Sequence, residues 1–229
     1  MQIENMFLNI TTTQAFNYLP LIIFPAILAT LKMLFLSLIL GLIIGFFIGV
    51  FLVLFSPDGL MPKKIIYYSL NGLVNFVRSF PVIILIVALI PFTRFIIGTS
   101  VGWQAAVVPL TISAFCAIAR LVENSLLEVD KKIILAAKSF GASNRQIIFN
   151  VMLIEALPAI FSNLVFSSIQ ILANTTLAGA VGAGGLGAMA LTFGYQRFDE
   201  IMMYSIVLVL TILVFIIQSV GSHLYKKLK

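Results

Sequence analysis

Four polar side chains recur at helical spacing in an otherwise apolar run: Asn163, Ser167, Gln170 and Asn174. Steps of four, three and four residues set them on one face of an α-helix. Within a membrane such a stripe either lines a polar path or bonds one helix to another. Both uses are open; the continuity of this face with a glycine-rich turn after it favours the lining of a translocation path. Arg78 is the other polar residue of interest, beside Asn75 and Ser79 and just before Pro81. A charge at bilayer depth costs at least roughly 2.5 kcal/mol, so Arg78 needs a partner or water there. With residues 71–80 leading into an apolar run, a place near the cytoplasmic interface is the milder alternative.

Other chemistries fail on residue supply. Cys116 and His223 are each the sole residue of their type, too few for a Cys/His metal site, and Cys116 excludes an intramolecular disulfide. Gly182-Ala183-Gly184-Gly185-Leu186-Gly187 fits G-x-G-x-x-G letter for letter, but no preceding strand or βαβ unit surrounds it. It reads as a flexible or tightly packed turn. No G-x-x-x-x-G-K-[ST] occurs, so this chain does not itself cradle ATP phosphates. No nucleophile–base pair stands out, and the expectation is a protein that is not an enzyme.

The elements that position these residues follow from composition. Of 229 residues, 61% are hydrophobic and only 10% charged, with mean hydropathy +1.15. Long apolar segments cover residues 26–55, 66–90, 104–121, 152–178 and 201–220. Most reach the roughly 20 residues that cross a bilayer, and an open sheet would leave backbone groups unpaired in lipid. The expected fold is therefore all-α, a polytopic bundle of about five transmembrane helices. The third span is the shortest, and Pro109 invites a kink. The absence of a basic region ahead of the first apolar run argues against a cleavable signal peptide.

The net charge of +6 follows the membrane rather than forming a nucleic-acid docking face. With the N-terminus outside, Lys63, Lys64, Arg120, Lys131, Lys132, Lys138, Arg145, Lys226, Lys227 and Lys229 fall on the cytoplasmic side, ten of the fourteen basic residues. Arg94 and Arg197 fall outside, and Lys32 and Arg78 lie within spans, with Lys32 snorkelling to the headgroups. The positive-inside bias thus predicts an N-out, C-in topology. Residues 1–25 form an extracytoplasmic segment, 26–222 the transmembrane domain, and 223–229 a basic cytoplasmic tail. Gly41, Gly45 and Gly49, with Ser37 one step earlier, let a neighbouring backbone approach closely, within the chain or across a dimer. Glu155 is placed to pair with a nearby base.

The polar connection 123–150 is expected to hold two short helices. Asp130 caps the first, in which Ile133, Ile134, Ala137 and Phe140 recur at helical spacing until Gly141 ends it. Ser143 and Gln146 then have capping-box spacing. Ala136, Ala137, Phe140 and Ala142 give the bend an apolar corner. It fits either a socket on another subunit or the membrane surface.

Ala136-Ala137-x3-Gly141-x9-Val151-x-Leu153 resembles the loop of ATP-binding-cassette importer permeases, whose usual form is Glu-Ala-Ala-x3-Gly-x9-Ile-x-Leu-Pro. Leu135 and Ile154 stand where Glu and Pro are usual. Residues from about 76 onward are similar to methionine-importer permeases in particular, through Val77-Arg78-Ser79-Phe80-Pro81, Ala119-Arg120-x-Val122-Glu123-Asn124, Glu155-Ala156-Leu157-Pro158 and the glycine-rich 179–187. The resemblance implies a type I importer permease in a prokaryotic cell membrane, a homodimer working with a P-loop ATPase dimer and an extracytoplasmic binding protein or lipoprotein. ATP and Mg would sit on the ATPase, leaving this chain without a cofactor. Ala136, Ala137, Phe140, Gly141 and Ala142 would then couple to the ATPase, and Asn163, Ser167, Gln170, Asn174 and Arg78 would line the path. A gradient-driven secondary transporter or channel is the alternative, but no inverted repeat is visible.

Overall fold

The computed structural model describes residues 2–228, with side chains from 21 to 226. The described backbone is helical between short turns. Helix α1 (Gln2–Phe55) is followed by α2 (Lys64–Arg78), α3 (Val82–Ala88), α4 (Ile90–Ile97), α5 (Trp103–Leu127) and α6 (Lys131–Ser139). A one-turn α7 (Asn144–Gln146) runs through a wider π-helical stretch, Ile147–Met152, into α8 (Leu153–Ala178). A short α9 (Gly185–Met189) and the closing α10 (Glu200–Leu228) complete the chain.

Four stretches are long and apolar enough to cross a membrane: Leu21–Phe55, Trp103–Leu127, Asn144–Ala183 and Glu200–Lys226. A fifth exists only if α2 and α3 are taken together, and these are bent by 102°. The expectation of one span over 66–90 is thus corrected to a broken one. Pro81, at φ −55° and ψ 136°, offers no N–H to continue α2 and drives the residue before it away from helical geometry. The third span is also longer than expected, because α5 continues past Arg120 to Leu127. Residues 123–127 of the anticipated loop therefore belong to the helix. Pro109 lies inside α5 without breaking it.

Of the first apolar stretch the described side chains cover Leu21–Phe55. The side chains of residues 1–20, and of Lys227 and Lys229 in the basic tail, lie outside those described. The tail itself continues α10 as helix to Leu228.

Helices α1 and α5 make the most extensive pairing, and the glycine stripe explains it. A Cβ added at Gly45 would lie 2.6 Å from the Phe115 carbonyl oxygen and 3.0 Å from Ile118 Cβ. Gly41 and Gly49 face Ala114 and Val122 of the same helix. The stripe therefore serves packing within the chain. Around this seam Leu52, Val74, Cys116 and Ala119 form one buried cluster, which accounts for the lone thiol. Another joins Val50, Val53, Ile118, Val122, Leu126, Ile147, Ile148 and Met152, fixing the base of the cytoplasmic connection to α1 and α5.

Gly45→Val should force α1 from α5 and cost about 1–3 kcal/mol as an overpacked contact. Thermal unfolding of the detergent-solubilised chain should drop by several degrees (about 1 kcal/mol for each few degrees). Gly72→Ala, whose added Cβ would meet nothing within 4 Å, should leave the transition in place.

Candidate functional site

A cavity of about 320 Å³ opens between α2, the α2–α3 break, α5 and α8. One wall comes from α8, where Ser167, Gln170 and Asn174 all reach it, as their spacing implies. Arg78, at the end of α2, lies on another wall. Four of the five residues expected to line a path thus share one cavity. Asn163 does not. Its side-chain amide donates to Ser125 Oγ at 2.9 Å and ties α8 to α5, so the stripe divides between lining and interhelical bonding.

Two residues that sequence reasoning assigned no such part lie on the α5 wall: Arg120 and Asn124. Arg120 Nη1 pairs with Glu123 Oε2 at 2.6 Å, and Nη2 donates to Asn71 Oδ1 and Asn75 Oδ1, both at 2.7 Å. One guanidinium thereby joins α5 to α2. The signal was present as two polar pairs at i,i+4, Asn71 with Asn75 and Arg120 with Asn124, which mark one face of each helix. The Glu123 side chain is only 4% exposed and that of Arg120 20%, so the pair sits mostly out of water. Its charges need each other there, because an uncompensated buried carboxylate or guanidinium is costly.

The break at Ser79–Pro81 is what opens the cavity. It ends α2 at Arg78 and starts α3 at Val82, which also lines the space. Phe80 and Phe166 add aromatic surface. The lining is therefore mixed, with cations and amides beside apolar groups, as small-molecule pockets commonly are.

The elbow follows the expected local rules. Asp130 accepts from the Lys132 N–H at 2.8 Å, capping α6. Gly141 takes φ +81°, the left-handed conformation that reverses the chain after α6. Ser143 and Gln146 form the reciprocal capping box that starts α7. Ala137 and Ala142 pack on the buried cluster at the base, whereas Ala136 is exposed. Phe140 stands at the tip with 91% of its surface exposed. Asn144 Nδ2 donates to the Leu60 carbonyl at 3.1 Å and anchors the second arm to the α1–α2 turn.

The glycine-rich turn is pinned rather than loose. The Leu186 N–H donates to Thr30 Oγ1 at 2.9 Å, and the Gly102 N–H to the Gly182 carbonyl at 2.9 Å. It thus joins the middle of α1 to the N-terminal end of α5 and presents nothing resembling a dinucleotide site. Lys32 Nζ lies 4.9 Å from the Trp103 ring centroid, a cation–π contact. Glu155 is exposed, and the one ion pair between described residues is Arg120–Glu123.

Glu123→Ala should leave Arg120 without its counter-charge. The expected loss is of order 2–3 kcal/mol, below the full penalty for a buried pair because Arg120 retains solvent contact. Denaturant titration of the purified chain measures it, and Glu123→Asp should recover part of the difference.

Comparison with known proteins agrees with this geometry. Residues 41–229 match the family described as binding-protein-dependent transport system inner membrane component. The chain is 42% identical to the probable D-methionine transport system permease protein MetI of Vibrio cholerae over 170 residues, covering 74% of this chain and 76% of that protein. It is 41% identical to the methionine import system permease protein MetP of Bacillus subtilis over 169 residues, with 74% and 76% covered. Its fold superposes with a TM-score of 0.88 and 38% identity on a chain of the MetNI methionine ABC transporter in inward-facing conformations, covering 92% of this chain and 98% of that one. Matched by the family over residues 41–229 and by these relatives in sequence and fold, the chain belongs to the binding-protein-dependent inner membrane components, as a multi-pass permease subunit of an ABC importer.

Proposed function

We propose that this chain forms the translocation pathway of an ATP-driven methionine importer in a prokaryotic cell membrane. Two copies pair around the path, a separate P-loop ATPase dimer binds ATP and Mg on the cytoplasmic side, and an extracytoplasmic binding protein delivers cargo. The chain is oriented with its N-terminus outside, which puts Lys131, Lys132, Lys138 and Arg145 of the elbow in the cytoplasm, in keeping with the positive-inside bias. The names of the relatives support methionine as cargo. The gradient-driven alternative draws no support from the fold or the family.

The observation that carries the coupling mechanism is continuity. Phe140 projects from a bend whose second arm, beginning at Asn144, runs without interruption through Ala178. The arm's base is buried at Ile147, Ile148 and Met152, and the cavity-lining Ser167, Gln170 and Asn174 lie farther along it. At 1.5 Å per residue, a push near residue 147 is carried about 40 Å to residue 174. An exposed apolar knob on such a rod fits a hydrophobic groove on a partner that closes and opens. Hydrolysis in the partner then moves the wall of the cavity.

Gly141→Trp tests this reading. An added Cβ at Gly141 would meet nothing within 4 Å, but φ +81° disfavours any L side chain, and bulk would block a socket. Membrane insertion should stay intact while ATP-driven methionine uptake by the reconstituted complex falls to background. Phe140→Asp, which leaves the backbone unstrained, should give the same loss by removing the knob. Undiminished uptake by both variants would remove the elbow from the coupling path.

A further inference from the structure

Two guanidiniums line the cavity, and their circumstances differ. Arg120 is committed, with one bond to a carboxylate and two to amides. Arg78 forms neither an ion pair nor a hydrogen bond with any described residue, although it faces the same space. Across the cavity, Ser167 Oγ is buried and has no hydrogen-bond partner, with the residue only 3% exposed. A buried hydroxyl left unmatched costs free energy unless something else satisfies it, and Arg78, exposed on the cavity wall, has its guanidinium free to take a partner.

We propose that this cavity is a binding site for the cargo itself, in which Arg78 receives the carboxylate of one zwitterionic amino acid with an apolar side chain. The proposal rests on the importer reading above and gives its path a defined resting point. A guanidinium presents two parallel N–H donors that match the two oxygens of a carboxylate, so one residue supplies both charge and orientation. The side-chain carbonyl oxygens of Gln170 and Asn174, on the α8 wall, can accept from the cargo ammonium, and Ser167 can bond either end. Phe80 and Phe166 provide the apolar surface. A thioether gains there from sulfur–aromatic contact as well as from burial.

Volume and charge narrow the class. About 320 Å³ is at the small end of ligand pockets, which run roughly from 300 to 1,000 Å³. It has room for one amino acid but not for a folded peptide. Glu123 is spent on Arg120, so a second positive charge on the cargo would face Arg78 unopposed. Lysine and arginine are therefore excluded more strongly than methionine, leucine or norleucine. Affinity should be modest, since a path must release what it holds.

The test reads occupancy inside the cavity rather than transport. Ser113→Cys puts a thiol on the α5 wall at a position given no part in binding the cargo, whereas the native Cys116 is buried and reacts slowly. In the assembled importer, reconstituted in lipid nanodiscs without nucleotide, L-methionine should slow maleimide labelling of that thiol. Norleucine should protect similarly, and methioninamide, which lacks the carboxylate, should not. Adding Arg78→Gln should raise the methionine concentration needed by roughly ten-fold or more, as the loss of a charged hydrogen bond implies, and Arg78→Lys should restore part of it. If Arg78→Gln fails to assemble, Ser167→Val, which removes a polar group from the opposite wall, should weaken protection in its place. Equal protection by methioninamide overturns the proposal, as does protection unchanged by Arg78→Gln or, where that variant does not assemble, by Ser167→Val. ATP-driven methionine uptake by the parent complex without any protection defeats this site alone; absence of that uptake defeats the importer reading.

Discussion

The guanidinium of Arg120 is the joint on which the functional half of the molecule depends. Placed on α5 in a largely dehydrated setting, it must find a counter-charge and donors' partners within reach, and it finds Glu123 one turn on and two amides on α2. The bonds hold α2 beside α5. Pro81 ends α2 at Arg78, and the clamp keeps that end against α5. The cavity exists because two helices are held together by a polar clamp just before one of them is forced to turn away. Apolar packing alone could bring these helices together, but lipid tails are as apolar as the side chains and give little preference for one rotation over another.

A second constraint acts on the other side of α5, where α1 approaches at backbone distance through the glycine stripe. The two faces of α5 are thus held by different physics, close van der Waals contact towards α1 and charged hydrogen bonds towards α2. That difference has a mechanical consequence. A glycine seam tolerates little separation because its attraction falls away steeply with distance. A clamp made of long side chains can pivot while keeping its bonds. The α1–α5 pair consequently forms the natural fixed frame, against which, in the coupling proposed here, the rod from Asn144 to Ala183 would deliver motion from the elbow.

Much of this was legible in the sequence where a local rule governs the outcome. The Asp130 cap, the Gly141 reversal and the Ser143–Gln146 box depend on neighbours three or four residues away, and the structure shows each of them. The polar stripe on α8 was visible from its period, but the period could not reveal that Asn163 meets Ser125 while Ser167 meets a cavity. That distinction depends on which helix lies opposite. The end of α5 was misplaced for a related reason. Glu123 and Asn124 look like the start of a solvated loop when read singly, whereas Glu123 pairs with Arg120 and α5 continues through the buried Val122, Ser125 and Leu126 to Leu127. The 66–90 span was read as unbroken because its hydropathy outweighed Pro81, yet one missing donor and one fixed φ decide the geometry.

Charge allocation links the clamp to the cavity. The walls carry two guanidiniums, but the only described ion pair there consumes one of them together with Glu123. The remainder is a single positive charge at the end of a helix, against an α8 wall of amides and a hydroxyl that bring no net charge. Such a remainder is costly in isolation, which is why charges within spans are usually paired or wetted. In the proposed site an amino acid's carboxylate would offset that cost only while present, its ammonium being left to the amides. Cargo binding there would be weak by construction, because one ion pair is gained in a space still open to water. A path with a second free cation would hold its cargo too firmly to release it, and a path with none would have no means of orienting a zwitterion. The division of labour between Arg120 and Arg78 places this cavity between those limits.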